Sequence, residues 1–256
     1  MNCTENYKSI QDVFEVIKPV GRVIRGIIFR PDCEDGIFPT VIFSHGFGGN
    51  YRELQHHGPG YAKAGIVCVL FDFCGGGMES LSDGTMIDMT VLTEAEDLEN
   101  VFDMVRKLPY VDESAVYLQG ESQGGLVSAI VGSRREADTK GLILWYPAFV
   151  IPDDAKKRKA SGITTVFGVE LSPKFDEAAV TIDIENTQCS YEKPVLLIHG
   201  DKDDLVPISY SRNALLNYKD ARLEEIKGAG HGFEGAESMK ASMLSVEFVK
   251  LYSTDK

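Results

Sequence analysis

An apolar run, Ala115-Val116-Tyr117-Leu118, leads directly into Gly120-x-Ser122-x-Gly124, and a small-residue stretch from Gly125 to Val131 follows with helical character. Strand, glycine-flanked turn and helix in that order form the context of a nucleophile elbow, in which a serine stands on a strained turn. Glycine on either side lets strand and helix approach without Cβ clashes. The helix start also aims backbone N–H groups at an anion forming above the serine. The same pattern without a partner base would be an ordinary glycine-rich helix entry with Ser122 as its cap.

The rest of the chain repeats the strand–helix theme. Asp12 to Ile17 and Arg22 to Phe29 read as short strands joined by a turn at Lys18-Pro19-Val20-Gly21. Thr40 to Ser44, Ile66 to Phe71, Gly141 to Tyr146 and Pro194 to Ile198 are continuous apolar runs, as strands of a parallel sheet covered on both faces should be. Helices are expected at Glu53–Ala64, at Thr93–Lys107 with a capping box from Thr93 to Glu96, from about Ile208 to Asn217, and at Glu237–Tyr252. Arg222 to Ile226 adds a last strand. This alternation predicts one α/β domain over residues 1–256, with a mainly parallel central sheet flanked by helices. Only the stretch at about 148–192 lacks a strand of core quality. It is expected to be a short cap insertion above the carboxyl ends of the strands, where ligands bind in such sheets.

Charge and composition narrow the partners. With 26 basic against 39 acidic residues the net charge is −13, and no basic stripe accompanies an aromatic platform. Nucleic acid and anionic membrane are therefore poor partners. The five cysteines (Cys3, Cys33, Cys68, Cys74, Cys189) form no C-x-x-C pair, so neither a disulfide framework nor a metal site is expected. The N-terminal residues lack an apolar leader and no run is long enough to span a bilayer, which reads as a cytoplasmic chain. Oligomeric state is left open, a homodimer included.

A serine at neutral pH needs a base to take its proton and an acid to orient that base. His56 and His57 fall on a polar helix face and read as solvated. His45 and His199 each end an apolar strand just before a glycine, a setting for backbone hydrogen bonds. His231, in Gly228-Ala229-Gly230-His231-Gly232-Phe233, lies on a glycine-rich loop between the last strand and the last helix. It is the base expected. Asp201, Asp203 and Asp204 all follow the preceding strand, and position alone does not rank them. The order Ser, Asp, His is that of the α/β-hydrolase fold.

Ser44-His45-Gly46-Phe47-Gly48-Gly49, Gly120 to Gly125, His199 to Pro207 and Gly230-His231 together resemble the α/β-hydrolase superfamily over nearly the whole chain. Within it the chain looks most like bacterial cinnamoyl/feruloyl esterases and related carboxylesterases. The resemblance implies Asp203, fifth in the family's H-G-x-x-D-x-x-V-P pattern, as the acid. It also implies the backbone N–H groups of Phe47 and Gln123 as the oxyanion hole, and no cofactor. The insertion is shorter than in feruloyl esterases, and Cys74-Gly75-Gly76-Gly77-Met78-Glu79-Ser80 departs from the family's Gly-x-Gly-x-Ser form. Residues gripping a hydroxycinnamate ring are therefore not carried over.

The expected activity is a serine carboxylesterase acting on small acyl or aryl esters, with Trp145, Tyr146, Phe149, Phe167 and Phe233 as candidate pocket residues and Phe175 beside them. An acyl-peptide or aminoacyl peptidase-like hydrolase is the nearest alternative, and a non-catalytic binding protein on the same fold a more distant one. The run Lys156-Lys157-Arg158-Lys159 reads as a solvated helix face.

Overall fold

The computed structural model describes residues 6–253; the readings that concern Cys3 and the first residues of the chain lie outside the described residues. In chain order the elements are β1 (Ser9–Ile17), β2 (Val23–Pro31), β3 (Phe38–Ser44), α1 (Tyr51–Leu54), α2 (Gly58–Lys63), β4 (Val67–Phe71), α3 (Val91–Val105), β5 (Val111–Glu121), α4 (Ser122–Arg134) and β6 (Gly141–Trp145). Then come α5 (Ile151–Ser161), β7 (Thr165–Val166), β8 (Val169–Glu170), α6 (Pro173–Ala179) and α7 (Ile184–Cys189). The chain closes with β9 (Val195–Gly200), α8 (Ser209–Asn217), β10 (Ala221–Ile226) and α9 (Gly235–Ser253).

Among the described residues, eight strands form one sheet in the order β1-β2-β4-β3-β5-β6-β9-β10. It is parallel from β4 to β10, and the β1–β2 hairpin extends it antiparallel along β4. The side-chain period of two sorts the central strands into two apolar layers. Ile42, Val69, Leu118 and Leu144 meet Leu98, Phe102 and Leu126 of α3 and α4 on one face. Val41, Phe43, Cys68, Leu70 and Ile143 meet Tyr61 of α2 and Phe248 of α9 on the other. Each fully buried large side chain contributes about 1.5–3 kcal/mol, so neither layer is dispensable. No helix among the described residues is long and apolar enough to cross a membrane.

Two helix expectations are corrected. The stretch Glu53–Ala64 is broken into α1, a 3-10 turn over Gln55–His57, and α2. Pro59 has no N–H to donate and its ring crowds the carbonyl four residues back, so one continuous helix cannot form. Helix α3 begins at Val91, with Thr90 as its cap: Thr90 Oγ1 accepts from Thr93 N, and Thr93 Oγ1 accepts from Thr90 N. Thr93 thus fills the reciprocal position usually held by Glu or Gln. The stretch between β6 and β9 holds α5 to α7 and the small β7–β8 hairpin, and none of it joins the central sheet. Arg158, in the basic run, is tied to Asp176 across α5 and α6, with its Nη2 2.6 Å from Oδ1. Lys156 and Lys157 pair with Asp153 and Asp154 on the solvated face.

The β5–α4 turn is tightly packed backbone to backbone. Ser122 has φ +50°, a left-handed conformation that costs a residue with a Cβ about 1–3 kcal/mol. A Cβ on Gly120 would sit 2.1 Å from Gly124 O, and one on Gly124 would sit 2.4 Å from the carbonyl oxygens of both Ser44 and His45. Helix α4 therefore touches the end of β3 backbone to backbone, which sets Ser122 beside the 46–49 turn. Gly124→Ala should cost at least about 3 kcal/mol of stability or prevent soluble expression. An unchanged urea unfolding midpoint would count against this close approach.

Candidate active site

Ser122, His231 and Asp203 arrive from the carboxyl ends of β5, β10 and β9 and meet in one hydrogen-bonded line. His231 Nε2 lies 2.9 Å from Ser122 Oγ, and His231 Nδ1 lies 2.8 Å from Asp203 Oδ2. The carboxylate is buried and heavily committed. Its Oδ1 accepts from the backbone N–H groups of Leu205 (2.9 Å) and Val206 (2.8 Å), and Oδ2 also faces His199 Nε2 at 3.1 Å. Burial by itself would raise the Asp203 pKa. The hydrogen bonds from His199, His231 and the Val206 backbone outweigh it and hold the carboxyl well below the usual range, so it stays ionised.

The neighbouring aspartates do other work. Asp201 Oδ1 accepts from Gly228 N at 2.6 Å and ties the two loops together, while Asp204 is exposed. Val206 is buried and anchors its loop, and Pro207 lies just before α8.

His199 is more than a strand-end histidine. Its Nε2 contacts both the Asp203 carboxylate and Val206 O (2.9 Å), two acceptors, so Nε2 carries the proton. Nδ1 then accepts from Ser211 Oγ at 2.7 Å. His45 does keep the backbone role expected of it: Nδ1 donates to Gly46 O at 2.8 Å, and Nε2 accepts from Phe73 N at 3.2 Å. Burial lowers its pKa and keeps the ring neutral. His57, read as solvated, is instead buried between Phe43 and Trp145, with Ser242 Oγ 2.9 Å from Nδ1. Burial, then the neighbouring His56, pushes its pKa down to about 3. Breaking the expected helix at Pro59 allows this, because the 3-10 turn rotates His57 inward.

Phe47 and Gln123 flank the serine. The N–H of Gln123 is among the first four of α4, which have no acceptor within their helix. The 46–49 turn that carries Phe47 is stitched to the next loop by Gly48 N donating to Gly76 O at 2.9 Å and by a Gly48–Gly77 bridge. The Gln123 side chain is fixed as well, donating from Nε2 to Glu94 Oε2 at 2.8 Å. Glu94 is buried, and burial raises its pKa well above the carboxylate range. The sequence holds a sign of it: Glu94 occupies a helical period shared with Val91, Leu98 and Val101, where an apolar residue belongs.

A cavity of about 650 Å³ opens over Ser122 and His231, walled by Phe47, Trp145, Tyr146, Phe167 and Phe233 and edged by Glu53, Glu121 and Glu234. Four of the five candidate pocket aromatics therefore line it. Phe149 does not. It is 2% exposed within the core layer under α5 and borders a separate cleft with Gln188 and Asn217. Tyr146 takes φ +34°, packs against His231 with ring centroids 4.8 Å apart, and donates to Glu121 Oε2 at 2.6 Å. Burial raises the Glu121 pKa, countered by that hydroxyl and by Gly46 N at 3.4 Å. Tyr146→Phe would strip the recessed carboxyl of its best donor and should cost about 1–3 kcal/mol. An unchanged unfolding free energy in urea would sink that assignment.

Comparison with solved structures places this geometry among known proteins. Est1E from Butyrivibrio proteoclasticus, solved with ferulic acid bound, superposes with a TM-score of 0.83 at 25% identity, covering 94% of this chain and 99% of that one. The α/β hydrolase GrgF from Penicillium sp. sh18 (TM-score 0.76, 19% identity, 95% and 99% coverage) shares the fold. So does the esterase EaEST from Exiguobacterium antarcticum (0.69, 19%, 92% and 98%). A search of curated proteins returns no match. The family described as Hydrolase_4, serine aminopeptidase S33, matches residues 37–186, more than half of the 256 residues. The chain belongs to that α/β-hydrolase family.

Proposed function

We propose that this hydrolase is a serine carboxylesterase that cleaves small acyl or aryl esters through an acyl-enzyme. The observation that carries the reading is the unbroken line from Ser122 through His231 to a buried, ionised Asp203 on the floor of an open cavity. In the first step Ser122 Oγ bonds to the ester carbonyl carbon as His231 Nε2 takes its proton. The carbonyl electron pair moves onto oxygen, held by the N–H groups of Phe47 and Gln123. The pair then returns, the bond to the alcohol oxygen breaks, and His231 gives that oxygen the proton. Water repeats the sequence on the acyl-serine and releases the acid. Asp203 accepts from His231 Nδ1–H throughout, fixing the tautomer that presents Nε2 to the serine.

No substrate-binding role is carried over from Est1E, whose identity with this chain is 25%, to the segment between β6 and β9. That segment acts as a cap in this reading. The family's description also names an aminopeptidase, and amide cleavage is the second reading. Matched ester and amide substrates separate the two, because an amine leaves only when the acid step is efficient. An organophosphonate should label one site per chain, at Ser122. Labelling elsewhere, or none on folded protein, would defeat both readings.

A further inference from the structure

Ser122 stands between two spaces of very different size. The large cavity lies on the side of the His231 loop, and Gly232, Phe233, Glu234 and Gly235 border it alone. On the other side, beneath α5, α6 and the β7–β8 hairpin, lies a chamber of about 80 Å³. Its walls are mainly Ala148, Val150, Ile151, Val166, Phe175 and Val206, and Gln123 borders this chamber but not the large cavity. Phe47 and Phe167 stand between the two, their ring centroids 5.9 Å apart, and Phe47 also meets Phe175 at 6.3 Å. Arg158, clamped to Asp176 and lying over the Phe175 ring at 5.8 Å, holds the outer wall in place.

From this division we infer that the small chamber takes the acyl half of the substrate and limits it to short, unbranched chains of up to about four carbons. The inference rests on the esterase reading and deepens it. The direction follows from the proton path. The leaving oxygen must face His231 Nε2, so the alcohol half extends along the His231 loop into the large cavity. The acyl half then lies on the Gln123 side, in the chamber. Size sets the limit. A cavity of about 150 Å³ takes the six carbons of benzene, so about 80 Å³ takes about three carbons beyond the carbonyl and no aromatic ring. Aromatic acids are thus excluded as acyl groups, and an aryl ring is accepted only on the alcohol side. The preferred substrates are acetate to butyrate esters of bulky or aromatic alcohols.

The test is a two-way series on the wild-type chain. p-Nitrophenyl acetate, butyrate, hexanoate, octanoate and benzoate vary the acyl half; phenyl and 1-naphthyl acetate, with methyl ferulate as the reversed case, vary the alcohol half. kcat/KM should fall at least tenfold from butyrate to hexanoate, in line with what a surplus methylene costs in a filled apolar pocket. It should change by less than tenfold from phenyl to 1-naphthyl acetate. Ile151→Ala and Val166→Ala, both at partly exposed positions, should each move the acyl limit outward and narrow the butyrate-to-hexanoate ratio. Wild-type turnover of octanoate, benzoate or ferulate matching that of butyrate would overturn the inference. So would a size limit found on the alcohol half instead, or an unmoved ratio in both variants. If no ester is turned over at all, the esterase reading itself fails and this inference falls with it.

Discussion

Replacing Ser122 with alanine should lower kcat for an activated ester about 10⁶-fold while the protein remains folded. The expectation joins two properties of the turn. The left-handed φ of Ser122 is imposed by the glycine contacts on either side, and alanine carries the same Cβ as serine, so the substitution adds no backbone strain. The hydroxyl itself has one hydrogen-bond partner, His231 Nε2, so its removal leaves no buried group stranded. Only the bond-forming atom disappears. His231→Ala should match the loss, because nucleophile and base act as one unit. Measuring kcat for purified, folded variants decides it, and activity above a few per cent of wild type in either would refute the assignment.

The second large effect concerns the acid. Asp203→Asn should reduce kcat about 10⁴-fold. Asparagine keeps the shape of the loop, since its carbonyl oxygen can still accept from the N–H groups of Leu205 and Val206. Its NH₂ then points at the two histidines, where a charge accepted before. A donor facing His231 Nδ1 favours the tautomer that places the proton on Nε2, the atom that must receive one from serine. Asp201→Asn and Asp204→Asn should stay within about tenfold of wild type, since one secures Gly228 N and the other faces solvent. A collapse in either of these with Asp203→Asn near normal would reverse the roles.

Much of this molecule could be read from the chain because its central strands are apolar on both faces and its loops are punctuated by glycine. The sheet, the turn at Ser122 and the carboxyl-end placement of Asp203 and His231 all follow from patterns within ten residues of each position. What escaped was decided by packing across the sequence. A continuous helix was read through Gly58-Pro59-Gly60, and that breaking it buries His57 against Trp145 depends on a contact 88 positions away. His199 gave no sign of reaching Asp203, because the bend that folds the loop back over the strand end is made by the acid's own backbone hydrogen bonds. Phe149 was placed with the pocket aromatics as one of the aromatics of the cap stretch; it lies instead in the core layer beside the cleft with Gln188 and Asn217. Choosing among three aspartates needed the family pattern, since local chemistry is the same for all.

Three of the four donors to the Asp203 carboxylate come from its own strand and loop: His199 Nε2, Leu205 N and Val206 N; only the fourth belongs to His231. The anchor therefore draws most of its hydrogen bonds from its own segment of chain and only one from the base. The loop at 228–235 is tied down separately, by Gly228 N donating to Asp201 Oδ1, Lys202 N donating to Ala229 O, and the bonds of His231 to Asp203 and Ser122. Over evolutionary time that loop is free to be lengthened or rewritten around a new alcohol, provided one histidine still reaches the carboxylate. Specificity and chemistry can diverge on separate pieces of chain.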